Sequence, residues 1–536
     1  MKSKKPLLKR LSLVASVLLN CAPNLPAQTA PTITTQPANQ TVLPGTNASF
    51  SVAVAGTGPF SYQWQFNGTN SPNNIITTVA GNGTSTNAGD GGAAINASLY
   101  HPWDVAFDLS GNLFIADRLN YRIRKVDANG IISTVAGNGI GAYAGDGGAA
   151  TNASLNNPDA LAFDSAGNLY IGDDYNGRVR KLDANGIITT VAGTNTEGFS
   201  GDGGAAVNAQ LYGPCGVGFD AAGNLFIADN SNERVRKVGT NGIITTVAGK
   251  GGLPNYSGDG GPATNATFAF PVSVSFDAAG NLYIADDNNC LIRKVSTNGI
   301  IKWVAGYGVA WNGLPCYGGD GGPATNAYIA NPVRTAMDAS GNLYIADAGN
   351  GRIRMVDANG IITTVAGHGQ YGTPRSYSGD GGVATNASLN YPTGLAFDAA
   401  GNLYIADSGN NRIRKVHFAG DPTFTLANVS TSNAGSYSVV ITSPYGGVTS
   451  AVATLTVNIP TTPRQIMASG GYFGFLTNQF GFDLSGAFGQ TIVVDSSSDL
   501  VKWTPLFTNT VSGNPFYFCD PCWTIFTERF YRARLQ

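Results

Sequence analysis

An all-β fold dominated by a sixfold internal repeat is what this sequence predicts, on three observations. Short apolar runs are separated by clusters of Gly, Asn and Asp, and glycine is very frequent, with 71 copies. Helix formers are scarce: glutamate occurs only at Glu197, Glu233 and Glu528. The chain also repeats itself. IITTVAG stands at 75–81, 187–193, 243–249 and 361–367, with IISTVAG at 131–137 and IIKWVAG at 300–306. Runs of this length bounded by turn residues read as strands, and a fixed long period reads as stacked units.

Each repeat carries the same further elements. GDGG follows, with its aspartate at Asp90, Asp146, Asp202, Asp259, Asp320 and Asp380. Next come a proline, a VAFD-like run, and GNLYIAD or a variant beginning at Gly111, Gly167, Gly223, Gly280, Gly341 and Gly401. A basic run closes the unit, as in RIRKV at 122–126 and 412–416, and the spacing is about 56 residues. VAFD supplies strand a, LYIAD strand b, RIRKV strand c and IITTV strand d. The a–b and c–d joints are rich in Gly and Asn, which tolerate the positive φ of tight hairpins. A four-stranded sheet this small cannot bury both faces alone. Six stacked radially do so, as a β-propeller.

The phase of the repeat adds a closure. The first element, 75–79, is a strand d with nothing before it, and the last unit stops at Val416 without one. The two are expected to pair and close the ring, with Asn74 and His417 roughly 5–10 Å apart.

These motifs resemble the NHL repeat family over residues 73–418. The resemblance implies a six-bladed propeller. Repeat four departs most, with Leu291 where the others carry Arg122, Arg178, Arg234, Arg352 and Arg412.

The flanks read as one split domain. Residues 31–72 resemble the first strands of an immunoglobulin-like sandwich, with Trp64 as core tryptophan, and residues 419–458 resemble the rest, with Tyr437 at the tyrosine-corner position. Neither half is a sandwich alone, so the propeller is expected to be inserted into an Ig-like module. Val52 and Val439 stand where the cysteines of antibody-type domains would be. Residues 464–536 alternate apolar and polar residues and resemble a small C-terminal β-sandwich module of secreted bacterial proteins.

The N-terminus reads as a signal peptide, residues 1–27: Lys2, Lys4, Lys5, Lys9 and Arg10 precede the short apolar run Leu11 to Leu19. Lipidation at Cys21 is a second reading, which Asn20 suits poorly. The apolar run is shorter than the roughly 20 residues a membrane helix needs, so no transmembrane segment is expected. The protein is expected to be secreted or at the cell surface, as a monomer. Charged residues are 12% and the net charge is −2, which excludes the basic surface of a nucleic-acid binder.

The rarer residues offer few groups for chemistry. Of three histidines, His101 and His368 could share a face with Asp104, a thinkable metal site for a lyase or hydrolase on a six-bladed scaffold. The GDGG loops invite a calcium reading, but each offers one carboxylate where Ca²⁺ wants 6–8 oxygens. The expected role of that aspartate is to bond its own backbone and fix the turn. The D-x-x-N-x-R loops (Asp117, Asn120, Arg122 and copies) read as loop bracing. No cofactor, metal or catalytic residue is assigned. Cys519 and Cys522 form a lone C-x-x-C that reads as a local disulfide, Cys290 and Cys316 are a second candidate pair, and Cys215 is expected to be buried and free.

A ligand is expected where the repeat is broken. After the proline of strand a the units differ, and Trp103, Asp104, Asp159 and Arg334, with Tyr121 and Tyr175 from b–c loops, form the candidate patch. The expected function is non-catalytic recognition of an extracellular protein or polysaccharide. A metal-assisted enzyme and a purely structural surface protein are the alternatives.

Overall fold

The computed structural model describes residues 28–535 apart from 59, 71–73, 195, 309–316, 370–375, 419, 421, 427–428, 459–472, 477–478, 485–490, 498–501, 511–515 and 521–529. Residues 1–27, with Cys21, and Cys316 and Cys522 therefore lie outside the described residues, and with them both candidate disulfides. Among the described residues no helix is long and apolar enough to cross a membrane.

The repeats form six four-stranded antiparallel sheets among the described residues. In unit one these strands are Pro102–Phe107, Leu113–Asp117, Arg122–Val126 and Ile132–Ala136. Units two to six begin at Pro158–Phe163, Pro214–Phe219, Pro271–Phe276, Pro332–Met337 and Pro392–Phe397. Each first strand contacts those of both neighbouring units, and that of unit six contacts that of unit one. The sheets thus form a closed ring with strand a innermost. The fourth strand of unit six is Ile76–Ala80, paired antiparallel with Arg412–Val416 so that Val416 faces Ile76. His417 donates its backbone N–H to the Ile75 carbonyl at 2.9 Å. Both ends of the repeat segment therefore build one sheet, which removes an open edge.

Sheets join through apolar side chains. The second-strand isoleucines Ile115, Ile171, Ile227, Ile284, Ile345 and Ile405 are all fully buried. At five junctions an aromatic of one unit meets a phenylalanine of the next edge-on, as in Phe114–Phe163 at 5.0 Å and Tyr404–Phe107 at 4.8 Å. At the junction of units four and five Met337 packs in the cluster with Tyr283 instead.

The basic third strand is not a surface feature. Arg124, Arg180, Arg236, Arg293, Arg354 and Arg414 are each 0% exposed. Arg124 lies between the fully buried Asp117, at 3.1 Å, and Asp90 of the GDGG loop, at 2.6 Å. The other five arginines repeat this pairing with their own two aspartates. The GDGG aspartate accordingly pairs with this arginine, contrary to the expectation from sequence that it bonds its own backbone. A buried guanidinium must be paired, and this carboxylate is the partner. Asn120 donates to Asp117 at 2.9 Å, and Asp117 accepts the Tyr100 N–H at 2.8 Å, so this loop is braced by the repeated motif itself.

The two flanks fold together. Ser61–Phe66 pairs with Gly435–Ser443, setting Trp64 opposite Val439, and Ala48–Ser51 pairs with Thr423–Leu426. Phe50, Val52, Trp64, Tyr437, Val439 and Ile441 share one core. The Tyr437 hydroxyl donates to the Asn433 carbonyl at 2.7 Å, satisfying its polar end. The C-terminal segment forms two three-stranded sheets, with Leu484, Ile492, Val494 and Phe518 in its core; Cys519 lies on the strand Phe516–Asp520.

Candidate functional site

Two repeat positions aim side chains at one mouth of the ring. The first follows the proline of strand a. The second follows the aspartate that ends strand b, where a short 3-10 turn begins: Arg118, Asp174, Asn230, Asp287, Ala348 and Ser408. The residue before the proline has positive φ in every unit, namely His101, Asn157, Gly213, Phe270, Asn331 and Tyr391, which turns the chain sharply into the inner strand.

These positions enclose a cavity of about 510 Å³. Its wall includes Trp103, Asp159, Cys215, Val272 and Val333 from the first position and Arg118, Asp174, Asn230 and Asp287 from the second. Tyr175, Tyr212, Tyr391 and Glu197 complete the rim.

Arg334 and Asp104 lie buried beneath. Arg334 donates through Nη2 to Asp104 at 2.8 Å and to the Asp159 carbonyl at 2.6 Å, and through Nη1 to the Val272 carbonyl at 3.2 Å. One guanidinium from unit five therefore ties units one, two and four. Asp104 also accepts the Leu161 N–H at 2.9 Å. Burial pushes the Asp104 carboxyl up, and the Arg334 charge opposes that shift.

The wall above is electrostatically loaded. Arg118 holds Asp159 at 2.5 Å, stands 3.8 Å from Asp174, and lies 4.3 Å over the Trp103 ring. Burial raises Asp159 well above the usual carboxylate range despite that partner. Asp174 and Asp287 are each pushed up to about 6, again by burial first. Burial also raises the Cys215 thiol well above its ordinary value, with the charges of Asp174 and Asp159 adding to the shift. Carboxyls near 6 together with aromatic faces suit recognition of a ligand by hydrogen bonds and stacking.

Of the residues singled out from sequence, Trp103, Asp159 and Tyr175 line the cavity, while Asp104 and Arg334 are spent on each other below it. Tyr121 does not join them. It sits at φ 54, past the 3-10 turn, with its ring against Gly141 of the next loop. That left-handed position points side chains towards the following unit. Its counterparts Glu233 and Asn411 accept the Phe270 N–H at 2.7 Å and the His101 N–H at 2.9 Å. Arg118, Asp174 and Asp287 were missed, although aligning the repeats on IAD shows that the next residue varies in charge from unit to unit. His101, whose ring meets the Ser408 hydroxyl at 3.3 Å, is not gathered with His368 and Asp104: among the described residues no three His, Cys, Asp or Glu form a metal-binding group.

The Teneurin NHL domain family matches residues 68–141, 140–200, 196–255 and 309–377, and the NHL repeat family matches 389–416. The chain is 28% identical to human teneurin-1 over 384 residues, covering 64% of this chain and 13% of that protein. It is 29% identical to bovine NHL repeat-containing protein 2 over 345 residues, 59% of this chain and 46% of that protein. It thus spans less than half the length of either relative. Among solved structures, an auxiliary nutrient binding protein from Bacteroides thetaiotaomicron aligns over 74% of this chain and 98% of its own, at 16% identity and TM-score 0.47. A streptogramin B lyase aligns over 66% of this chain and 97% of its own, at 15% identity and TM-score 0.37. The repeated GNLYIAD and R-x-R-K-V strands, the ring of four-stranded sheets and these family matches make the repeat segment an NHL β-propeller.

Proposed function

We propose that this chain is an exported, non-catalytic recognition protein: a six-bladed propeller inserted into an Ig-like sandwich, which binds an extracellular protein or polysaccharide at the propeller mouth. The observation that carries the reading is the cavity of about 510 Å³ built from the positions where the repeats differ. Residues kept in every unit are consumed in holding the sheets. At two positions where the units differ, after the proline of strand a and after the aspartate of strand b, side chains line one concave, aromatic and polar surface. The Ig-like reading rests on the shared core of the flanks, with Trp64 facing Val439 and the Tyr437 hydroxyl bonded four residues back. Export rests on the basic and apolar pattern of residues 2–19.

The test is a binding screen of the mature protein against polysaccharides, peptidoglycan fragments and peptides, beside a Trp103→Ala/Tyr391→Ala variant. These rings lie 6.0 Å apart on the rim. A ligand held by the parent and lost by the folded variant supports the mouth as the site. Equal binding by both moves recognition to the flanking modules.

A further inference from the structure

Charge is distributed unevenly around the mouth. Four carboxylates line the cavity (Asp159, Asp174, Asp287 and Glu197) against the single guanidinium of Arg118. That guanidinium is engaged by Asp159 at 2.5 Å and covered by Trp103. Among the described residues no ion pair reaches Asp287 or Glu197; Asp287 has the neutral side chain of Asn331 as a hydrogen-bond partner, and no cation. Beside them stand two exposed aromatic rings, Tyr175 at 62% and Tyr212 at 42%. An anion would be repelled here, and a neutral sugar would leave the like charges uncompensated. A cation meets both the carboxylates and the negative faces of the rings.

Resting on the recognition reading above, we propose that the mouth selects a ligand bearing an organic cation, an ammonium or guanidinium group, seated between Tyr175, Tyr212, Asp174 and Asp287. The cavity is large enough for a basic side chain or a small polyamine. Binding is coupled to protons. Asp174 faces Arg118, Asp159 and Glu197, and Asp287 faces Asp286 and Asn331; both carboxyls are pushed up to about 6. Below that pH they are protonated and offer a cation little. As pH rises through 6 they ionise, so affinity increases.

Calorimetry on the mature protein tests this with arginine amide, spermidine and a lysine-rich peptide, against the same peptide acetylated on its lysines and a neutral N-acetylglucosamine oligosaccharide. Cationic probes are expected to bind, and acetylation to abolish binding. Asp174→Asn and Asp287→Asn should each weaken it about tenfold, as should lowering the pH from 7.5 to 5. If either variant misfolds, the pH and salt profiles of the parent stand in for it. Stronger binding by spermidine or arginine amide than by the peptide makes a free small cation the ligand; the reverse makes it a basic segment of a protein. If the oligosaccharide binds, is lost in Trp103→Ala, and the cations do not bind, the cation proposal falls while the recognition reading stands. If no member of the wider screen binds either, both fall.

Discussion

Arg334 and Asp104 meet at 2.8 Å beneath the mouth although 230 residues separate them in the chain. The pair is buried on both sides, and the same guanidinium also holds carbonyls of units two and four. It acts as a cross-brace where the six inner strands converge. Arg334→Met leaves the Asp104 carboxylate buried without its partner, and is expected to cost about 3–5 kcal/mol in urea unfolding. Adding Asp104→Asn should restore about 2 kcal/mol of that loss. Strict additivity of the two changes would show that the residues do not act as a pair.

The rim of the ring gives a second prediction. Arg412 lies 3.7 Å over the Tyr377 ring, with Arg414 at 4.9 Å, and the Tyr377 hydroxyl bonds Asp380. Tyr377→Ala is expected to destabilise by about 2 kcal/mol, and Tyr377→Phe by about 1 kcal/mol or less, since the ring stays. Equal losses in thermal unfolding would assign the whole effect to the hydroxyl.

Glu233 supplies the pH dependence. Its carboxylate accepts the Phe270 N–H at 2.7 Å, and burial pushes its carboxyl up to about 7 from 4.5. Because the folded value is raised, the folded state holds the proton more tightly than the unfolded state. That contribution to stability is complete below about 4.5 and is lost as pH rises to about 7. Glu233→Gln keeps the acceptor and removes the titration. Relative to this variant, the parent should lose stability between pH 4.5 and pH 7.5. A stability difference that does not move with pH would refute the assignment.

Ring closure predicts hydrogen-exchange behaviour. The closing strand Ile76–Ala80 comes from the opposite end of the repeat segment, yet Ile76 and Ala80 are fully buried. Its amides should exchange within about tenfold of those in the equivalent strand Ile132–Ala136. Exchange at the rate of a fraying terminus would show that the ring opens at this seam.

The legible parts of the structure are those that repeat. Strands, turns and their phase recur in register, because each rests on local chemistry: apolar alternation within a strand, Gly and Asn in a hairpin. The GDGG aspartates were equally visible but misread. Their partner, the buried arginine of strand c, stands 34 residues on. A periodic aromatic was present too, at Tyr143, Phe199, Tyr256, Tyr317 and Tyr377, three residues before the GDGG aspartate in five units. Its alignment with the periodic arginines signalled stacking. At the mouth, Trp103, Asp159 and Tyr175 could be picked out as breaks in the repeat. Tyr121 looked the same, but a left-handed backbone at φ 54 turns it away from the cavity, against Gly141.

The sequence by itself determined the all-β class, the period, the four strands of each unit and the pairing of its first repeat strand with its last. These follow from spacing, which neighbouring residues express directly. The tertiary structure alone decided which charges meet: Arg334 with Asp104, Arg118 with Asp159, and each buried arginine with its two aspartates. Those distances depend on how six twisted sheets curve around a common axis. No local pattern of residues encodes that curvature.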